Sequence, residues 1–518
     1  MIHAPSVKIN VISNFVAQAY VMGVGILMAP VYLSFMGPEA YGLIGFFTML
    51  TAWFVLLDVG LTPTLVRETA RFHGGAISID TLRVFLRAIE LIFASVALVG
   101  ALMMVLFAHR IATDWLVVKN LPITEVTNAL TLMGLAIPLR WVSGLYRGVI
   151  VGFERQAWLG GYNIAIATMR FVGVLSVFWL IDATPVSFFS YQLLVAAVEL
   201  GGLLMKTYGL IGRGSMPRAS LSWMPLLGNL RFSITIAFTA TAWVVIMQSD
   251  KLILSKILPL AQFGMFSIAV VAANAVNALN SPFNQAILPR LTKLVSQSDD
   301  VRAGNFYRRS TQAVCAIMMP AVTVLCFFAG PLILAWTGNA KVAEYAAPIV
   351  CLYAIGNGFV SIHSFAYYIQ YAKGDLFLHF LGHALLLFLL VPLFVLGATY
   401  YGALGTGAAW ALTNGLYALC WMPLVHARVF KGFHWTWMAR DVLPIVVPTV
   451  LAGWLLSAVM PAPASRWTAI AVVIPVGAIL VVVAGLSSSM VRSLVKSLGE
   501  KWLARFFGIS LAEAETRQ

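Results

Sequence analysis

Three arginines fall where hydrocarbon is expected. Between residues 138 and 171 two apolar helical stretches meet at a tight polar turn, Phe153 to Gln156, and they carry Arg140, Arg147 and Arg170. Arg147 follows Arg140 by seven residues, so two turns of helix bring both to one face. A guanidinium near a bilayer centre costs about 2.5–3.5 kcal/mol even on the lenient insertion scale, so it must face a partner or a wet cavity. This region is therefore the first candidate for the place where the chain meets a substrate. The competing reading is structural: Asp58, Glu90 and Glu199 also lie within apolar runs and could neutralise the arginines. By chain position Asp58 lies at the depth of Arg147, and Glu199 at that of Arg140 and Arg170.

The elements that carry these residues must be transmembrane helices. Of 518 residues 61% are hydrophobic and only 10% charged, and mean hydropathy is +0.90. A water-facing surface needs about 25% charged residues. Repeated apolar runs near the spanning length of about 20 residues predict an all-α polytopic membrane protein of about fourteen helices. The first run begins near Ile9 and is too long for the core of a cleaved signal, so it is read as a spanning helix. Arginine and lysine alternate between rich and poor loops along the chain. The rich set, from Arg67 to Arg440, is expected on the cytoplasmic side, with both termini. That asymmetry accounts for the net charge of +14 without a nucleic-acid partner. The four cysteines sit singly in apolar runs and form no metal or disulfide spacing. His379 and His383 lack a third ligand within reach, so no metal is expected.

An internal repeat organises the runs. Ala40, Tyr41 and Gly42 open the second run much as Ala261, Phe263 and Gly264 open the eighth, and both runs end at basic loops. Helices one to six then repeat as seven to twelve about an axis normal to the membrane, a transporter signature. The expected divisions are an N-lobe over 1–211, a linker over 212–231 and a C-lobe over 232–426. Two extra helices follow over 442–488, with an amphipathic tail over 489–518 that lies on anionic lipid. The lobes differ in chemistry. The second replaces mid-membrane charge with a helical stripe of Asn274, Asn277, Ser281 and Asn284, and overlaying the repeats brings His363 close to the arginine level. Such amides either hydrogen-bond a polar substrate or join helices, and Tyr367, Tyr368 and Tyr371 either stack on sugar rings or form an interfacial belt. Asp58 has two readings: a proton or sodium coupling site, or a group that ends its helix beside Gly60 and Pro63.

The segments MGPEAYG, LLDVGLTPTLVRETA and GLYRGVIVGFERQ resemble the Wzx-type oligosaccharide flippases of the multidrug/oligosaccharidyl-lipid/polysaccharide (MOP) exporter superfamily. The likeness is strongest from residue 10 to about residue 173. It implies two six-helix lobes around a cavity and alternating-access transfer of an undecaprenyl-pyrophosphate-linked oligosaccharide across the bacterial inner membrane. It further implies that Arg140, Arg147 and Arg170 receive the pyrophosphate, a compact dianion that guanidinium groups bind in bidentate fashion. Asn274, Asn277, Ser281, Asn284 and His363 would then meet the glycan, and Glu199 would serve as ion-pair partner. A glycan polymerase and a chain-length regulator are the expected protein partners. Fourteen helices also resemble the lipid II flippase branch, although the first helix offers only Asn14 and Gln18 in place of that branch's paired charges. A drug antiporter of the same fold would want acidic residues in its cavity. A membrane polymerase or ligase would want a large outward catalytic loop, and no loop exceeds roughly 20 residues.

Overall fold

The computed structural model describes residues 7–212, 224–429 and 432–506. Every regular element among the described residues is helical. In chain order the first are α1 Val7–Phe54, α2 Leu61–His73, α3 Ile79–Arg110, α4 Ile123–Gly152, α5 Gln156–Ala167, α6 Val174–Leu180, α7 Pro185–Ile211 and α8 Met224–Ile257. Next come α9 Leu260–Ala273, α10 Ala275–Ser296, α11 Asp300–Phe327, α12 Ala329–Thr337, α13 Ala340–Lys373 and α14 Phe377–Leu416. The last are α15 Met422–Val429, α16 Phe433–Trp437, α17 Leu443–Val459, α18 Arg466–Ser487 and α19 Ser489–Phe506. Most of the expected linker, and the end of the expected tail from residue 507, lie outside the described residues.

Among the described residues, eleven helical spans are long and apolar enough to cross a bilayer. Two of them, Ile12–Asp58 and Phe377–Val429, are of double length. Each contains a bend where the sequence expects a boundary: at Gly37 (φ 80°, ψ 171°) and at Gly402 (φ 58°, ψ −135°). Positive φ at these bends is open to glycine without a Cβ penalty, and Pro38 beside the first removes a helix donor as well. With both bends and the long α8, the architecture is consistent with fourteen crossings. The second run, expected over Tyr41–Thr64, instead breaks at Val59 and Gly60, both left-handed, before α2 begins. Asp58 sets that break by accepting hydrogen bonds from the Thr62 N–H at 3.0 Å and the Thr62 hydroxyl at 2.8 Å.

Internal contacts divide the chain into two compact units, Met1–Ser267 and Ile268–Gln518. In the first, α4 packs along α3 and α7, with α2 against its end. Buried Leu65, Leu82, Ile89, Phe93, Leu145 and Ile150 fill the space between these helices, and Phe93 stacks on Trp141 at 4.2 Å. In the second unit α13 is central and contacts α10, α11, α12 and α14. The two helices expected beyond the repeat, α17 and α18, pack on one another and on α11.

Across the bend of α14 the backbones of Gly397 and Gly405 touch. A Cβ on Gly405 would lie 2.0 Å from the Gly397 carbonyl oxygen. Overpacking of this kind costs about 1–3 kcal/mol or more. Gly405→Val is expected to lower the melting temperature and monodisperse yield of the purified protein. Gly209→Ala, at a site with nothing within 4 Å of the added carbon, should leave both unchanged. Equal behaviour of the two variants would contradict the close approach.

Candidate functional site

The turn between α4 and α5 is held from outside. Asn10 donates to the Glu154 carbonyl at 3.1 Å and accepts from the Ala157 N–H at 3.1 Å, which satisfies backbone groups the turn frees. Glu154 takes the left-handed conformation (φ 57°) that reverses the chain. The turn so formed lays α5 against α1, while α7 packs along α4.

On these helices the polar groups come in pairs seven residues apart: Arg140 and Arg147, Asn163 and Arg170, Gln192 and Glu199. Each pair projects from one helix face, and the faces converge. Arg147 donates to both Asn163 and Glu199, Arg170 donates to the second oxygen of Glu199, and Arg140 donates to Gln192. The Arg140 guanidinium also lies over the Phe47 ring, 4.8 Å from its centroid, a cation–π contact. Arg140, Arg147, Arg170, Asn163 and Glu199 line a cavity of about 510 Å³ together with Gln18.

Arg170 sits in a π-helical turn, Thr168–Val172. Such a turn breaks the regular ladder, and a bilayer offers no water to take up the displaced carbonyls. Side chains do so instead. Tyr191 donates to the Met169 carbonyl at 2.9 Å, Gln192 to that of Arg170 at 3.0 Å and Tyr32 to that of Phe171 at 2.6 Å. Gln192 thus joins two arginines at once, through its oxygen to Arg140 and through its nitrogen to the backbone of Arg170. Turn and guanidinium are positioned by the same helix.

The charge balance is uneven. Glu199, its side chain 4% exposed, is the carboxylate partner of both Arg147 and Arg170. Arg140 has no carboxylate partner among the described residues. The Nε atoms of Arg140 and Arg170 are buried with no hydrogen-bond acceptor. Three guanidinium groups against one carboxylate leave two positive charges on the cavity wall. The other acidic residues weighed in the sequence do not supply the difference. Asp58 serves Thr62, and Glu90 lies 3.8 Å from Arg87 and accepts from Tyr146 at 3.0 Å and Tyr208 at 2.7 Å. Depth along the chain pairs Asp58 with Arg147, but helix rotation and neighbour choice give Arg147 to Glu199.

The amide stripe is divided among several tasks. Asn274 stands exposed at the break between α9 and α10 and accepts from Asn277 at 3.2 Å. The break itself is bridged by buried Asn357, which donates to the Ala273 carbonyl at 2.9 Å and accepts from Trp410 at 3.1 Å. Asn284 accepts from the Tyr368 hydroxyl, and His363 bonds Asn414 at 3.2 Å, so both spend polar atoms between helices. The side chain of Ser281 lies outside the described residues. Tyr367 packs on His379 at 4.6 Å and Tyr371 is exposed. The His379 and His383 rings lie 4.0 Å apart, tilted by 51°, and among the described residues no group of three metal-ligating side chains occurs. Sequence reading missed Gln192 and Asn163 as members of the arginine cluster. Their seven-residue spacing from Glu199 and Arg170 was the available signal.

Arrangement and fold define a class before any particular family. The solved structure described as the lipid II flippase MurJ in an inward closed conformation matches with TM-score 0.68 at 15% identity, over 94% of this chain and 99% of that one. An inward-facing multidrug resistance MATE family transporter of the MOP superfamily matches with TM-score 0.62 at 12% identity, over 80% and 94%. The chain therefore has the fold of MOP-type transporters. The pattern of the polysaccharide biosynthesis protein family matches residues 7–295, and the chain belongs to that family. Among its relatives is the succinoglycan biosynthesis transport protein ExoT of Rhizobium meliloti, 24% identical over 461 residues, covering 86% of this chain and 83% of the relative. Another is a putative O-antigen transporter of Shigella flexneri, 21% identical over 421 residues, covering 79% and 96%.

Removing one partner from a buried ion pair costs about 3–5 kcal/mol, because the other charge is left uncompensated. Glu199→Gln is expected to lower the thermal unfolding temperature of the purified protein markedly, and adding Arg147→Gln should recover part of the loss. A Glu199→Gln protein as stable as the wild type would contradict the counter-charge role.

Proposed function

We propose that this protein is a flippase that carries a polyprenyl-pyrophosphate-linked oligosaccharide across the bacterial inner membrane by alternating access, both termini lying in the cytoplasm. The observation that carries the reading is the arginine cavity, with two uncompensated positive charges inside an apolar helical shell. A pyrophosphate diester is a compact dianion, so its charge matches that excess. Arg140 is the arginine free of a carboxylate and gives the strongest attraction. Arg147 and Arg170, spanned by Glu199, would exchange part of their bonds to the carboxylate for bonds to phosphate oxygens as the head group enters. The polyprenyl tail needs no protein cage, since it is soluble in the surrounding lipid.

The family and its relatives support this substrate class. One relative is named for succinoglycan transport and another for O-antigen transport, and the MurJ structure is named for flipping lipid II. Asn274 and Asn277, exposed or half-buried at the break between α9 and α10, are the amides best placed to meet sugar hydroxyls in this reading. The lobes expected from the repeat, divided at 212–231, would rock about the site, and a polymerase and chain-length regulator would receive the product. Asp58 belongs to its turn in this account, which gives it no coupling role. A cationic-drug exporter of the same fold is disfavoured, because a cavity with net positive charge repels its cargo.

Complementation of a glycan-export defect tests the reading. A bond between a charged donor and phosphate is worth about 1.5–3 kcal/mol, about 10- to 100-fold. Arg140→Gln is expected to reduce export by that order at unchanged membrane abundance. Arg140→Lys should recover only part of it, since lysine is a point charge without the paired donors. Full export from Arg140→Lys, Arg147→Lys and Arg170→Lys alike, at normal expression, would overturn the phosphate clamp.

A further inference from the structure

The unit Ile268–Gln518 holds a cavity of its own, about 540 Å³, that the transport reading does not use. Its walls carry Arg290 from α10, Arg302, Arg308 and Arg309 from α11, buried Asp441 from the turn before α17, and the first turn of α19. These arginines belong to the loops whose positive charge assigns them to the cytoplasmic leaflet.

Within the wall the partners divide sharply. Asp441 accepts from Arg308 Nε at 2.6 Å and from Gln312 Nε2 at 2.6 Å, which accounts for one guanidinium. Gln312 then turns its oxygen to the start of α19. That oxygen accepts from the hydroxyls of Ser488 at 3.1 Å and Ser489 at 3.0 Å and from the Met490 N–H at 2.8 Å. This knot fixes α19 to α11 and so fixes the cavity floor. Arg302 pairs with Asp299 at 3.3 Å. Arg290 and Arg309 have no ion pair or hydrogen bond among the described residues, yet both face the same cavity. The Ser489 and Ser493 hydroxyls are spent on the Gln312 oxygen and the Met490 carbonyl, so the two open guanidinium groups are the donors this cavity offers to a phosphate.

The neighbourhood indicates where that phosphate comes from. Immediately after Ser493, α19 exposes Leu494 (50%) and Val495 (63%), while Arg492 and Lys496 are also solvent-facing. A helix with exposed apolar and basic residues at the end of a bundle is built to lie in a membrane interface, where phospholipid phosphates sit at the same depth. We propose that this cavity binds a phosphate group, namely the headgroup of an anionic phospholipid, with Arg290 and Arg309 as its ligands. The lipid then acts as a clip between α10, α11 and α19. It is a different molecule at a different place from the transported one.

Binding of phosphatidylglycerol and of phosphatidylcholine to the purified full-length protein tests this by native mass spectrometry. One phosphatidylglycerol per chain should be retained, with phosphatidylcholine lost under the same activation. Arg290→Gln with Arg309→Gln should weaken phosphatidylglycerol binding about 10-fold or more, the loss of at least one charge-assisted bond. Arg492→Gln with Lys496→Gln removes as much charge from α19 outside the cavity and should change it less than about 2-fold. Equal losses in the two double variants would overturn the site in favour of diffuse attraction to the membrane. Equal retention of the two lipids by the wild type would also overturn it. Displacement of the bound lipid by inorganic phosphate alone would overturn the lipid assignment.

Discussion

A single buried carboxylate governs the first unit. Glu199 lies in an apolar shell and can remain ionised only because Arg147 and Arg170 reach it from two other helices. The dependence runs in both directions, since losing Glu199 would leave both guanidinium groups without their counter-charge. Helix α7 is thereby tied to α4 and to the segment after α5, and the seven-residue partners fall into place with it. Gln192 comes beside Arg140, and Asn163 beside Arg147. One carboxylate among three arginines holds the helices together and still leaves positive charge for a ligand. Two further acids would have made the cluster neutral, useful for packing and inert toward an anion.

The same scarcity of water explains where side chains appear at helix breaks. Several irregular stretches inside the bundle are served by a specific polar group: Asp58 at the Val59–Gly60 break, Asn10 at the turn before α5, Asn357 at the end of α9. The π turn at Arg170 draws on three residues, Tyr32, Tyr191 and Gln192. In lipid an unserved carbonyl costs several kcal/mol, so irregular backbone persists only where such donors are built in. The π turn gives the most in return, because it aims a guanidinium into the cavity.

Much of this was legible in the chain. Spanning runs are set by length and apolarity, and counting them against the spanning length placed boundaries near Gly37 and Gly402. The convergence of Arg140 and Arg147 followed from their spacing alone. Partner choice was not legible. Depth matched Asp58 with Arg147 and Glu199 with Arg140 and Arg170, whereas the pairing depends on rotation about each helix axis and on which helices are neighbours. Asp58 was lost to a hydroxyl four residues away, and Glu90 to two tyrosines. The amides show the same limit: three lie on one helical stripe, but Asn284 meets Tyr368 and Asn274 meets a chain break. The knot of Asp441, Arg308 and Gln312 joins residues more than a hundred positions apart, beyond any local pattern.

The central claim is that the excess positive charge of the Arg140, Arg147 and Arg170 cavity receives a pyrophosphate. Equilibrium binding of a polyprenyl pyrophosphate and of the matching polyprenyl alcohol to the purified protein tests it most directly. The account predicts that the wild type prefers the pyrophosphate by about 10-fold or more, and that Arg140→Gln loses most of this preference while its affinity for the alcohol is unchanged. Equal affinity of the wild type for the two lipids, or an undiminished preference in Arg140→Gln, would contradict it.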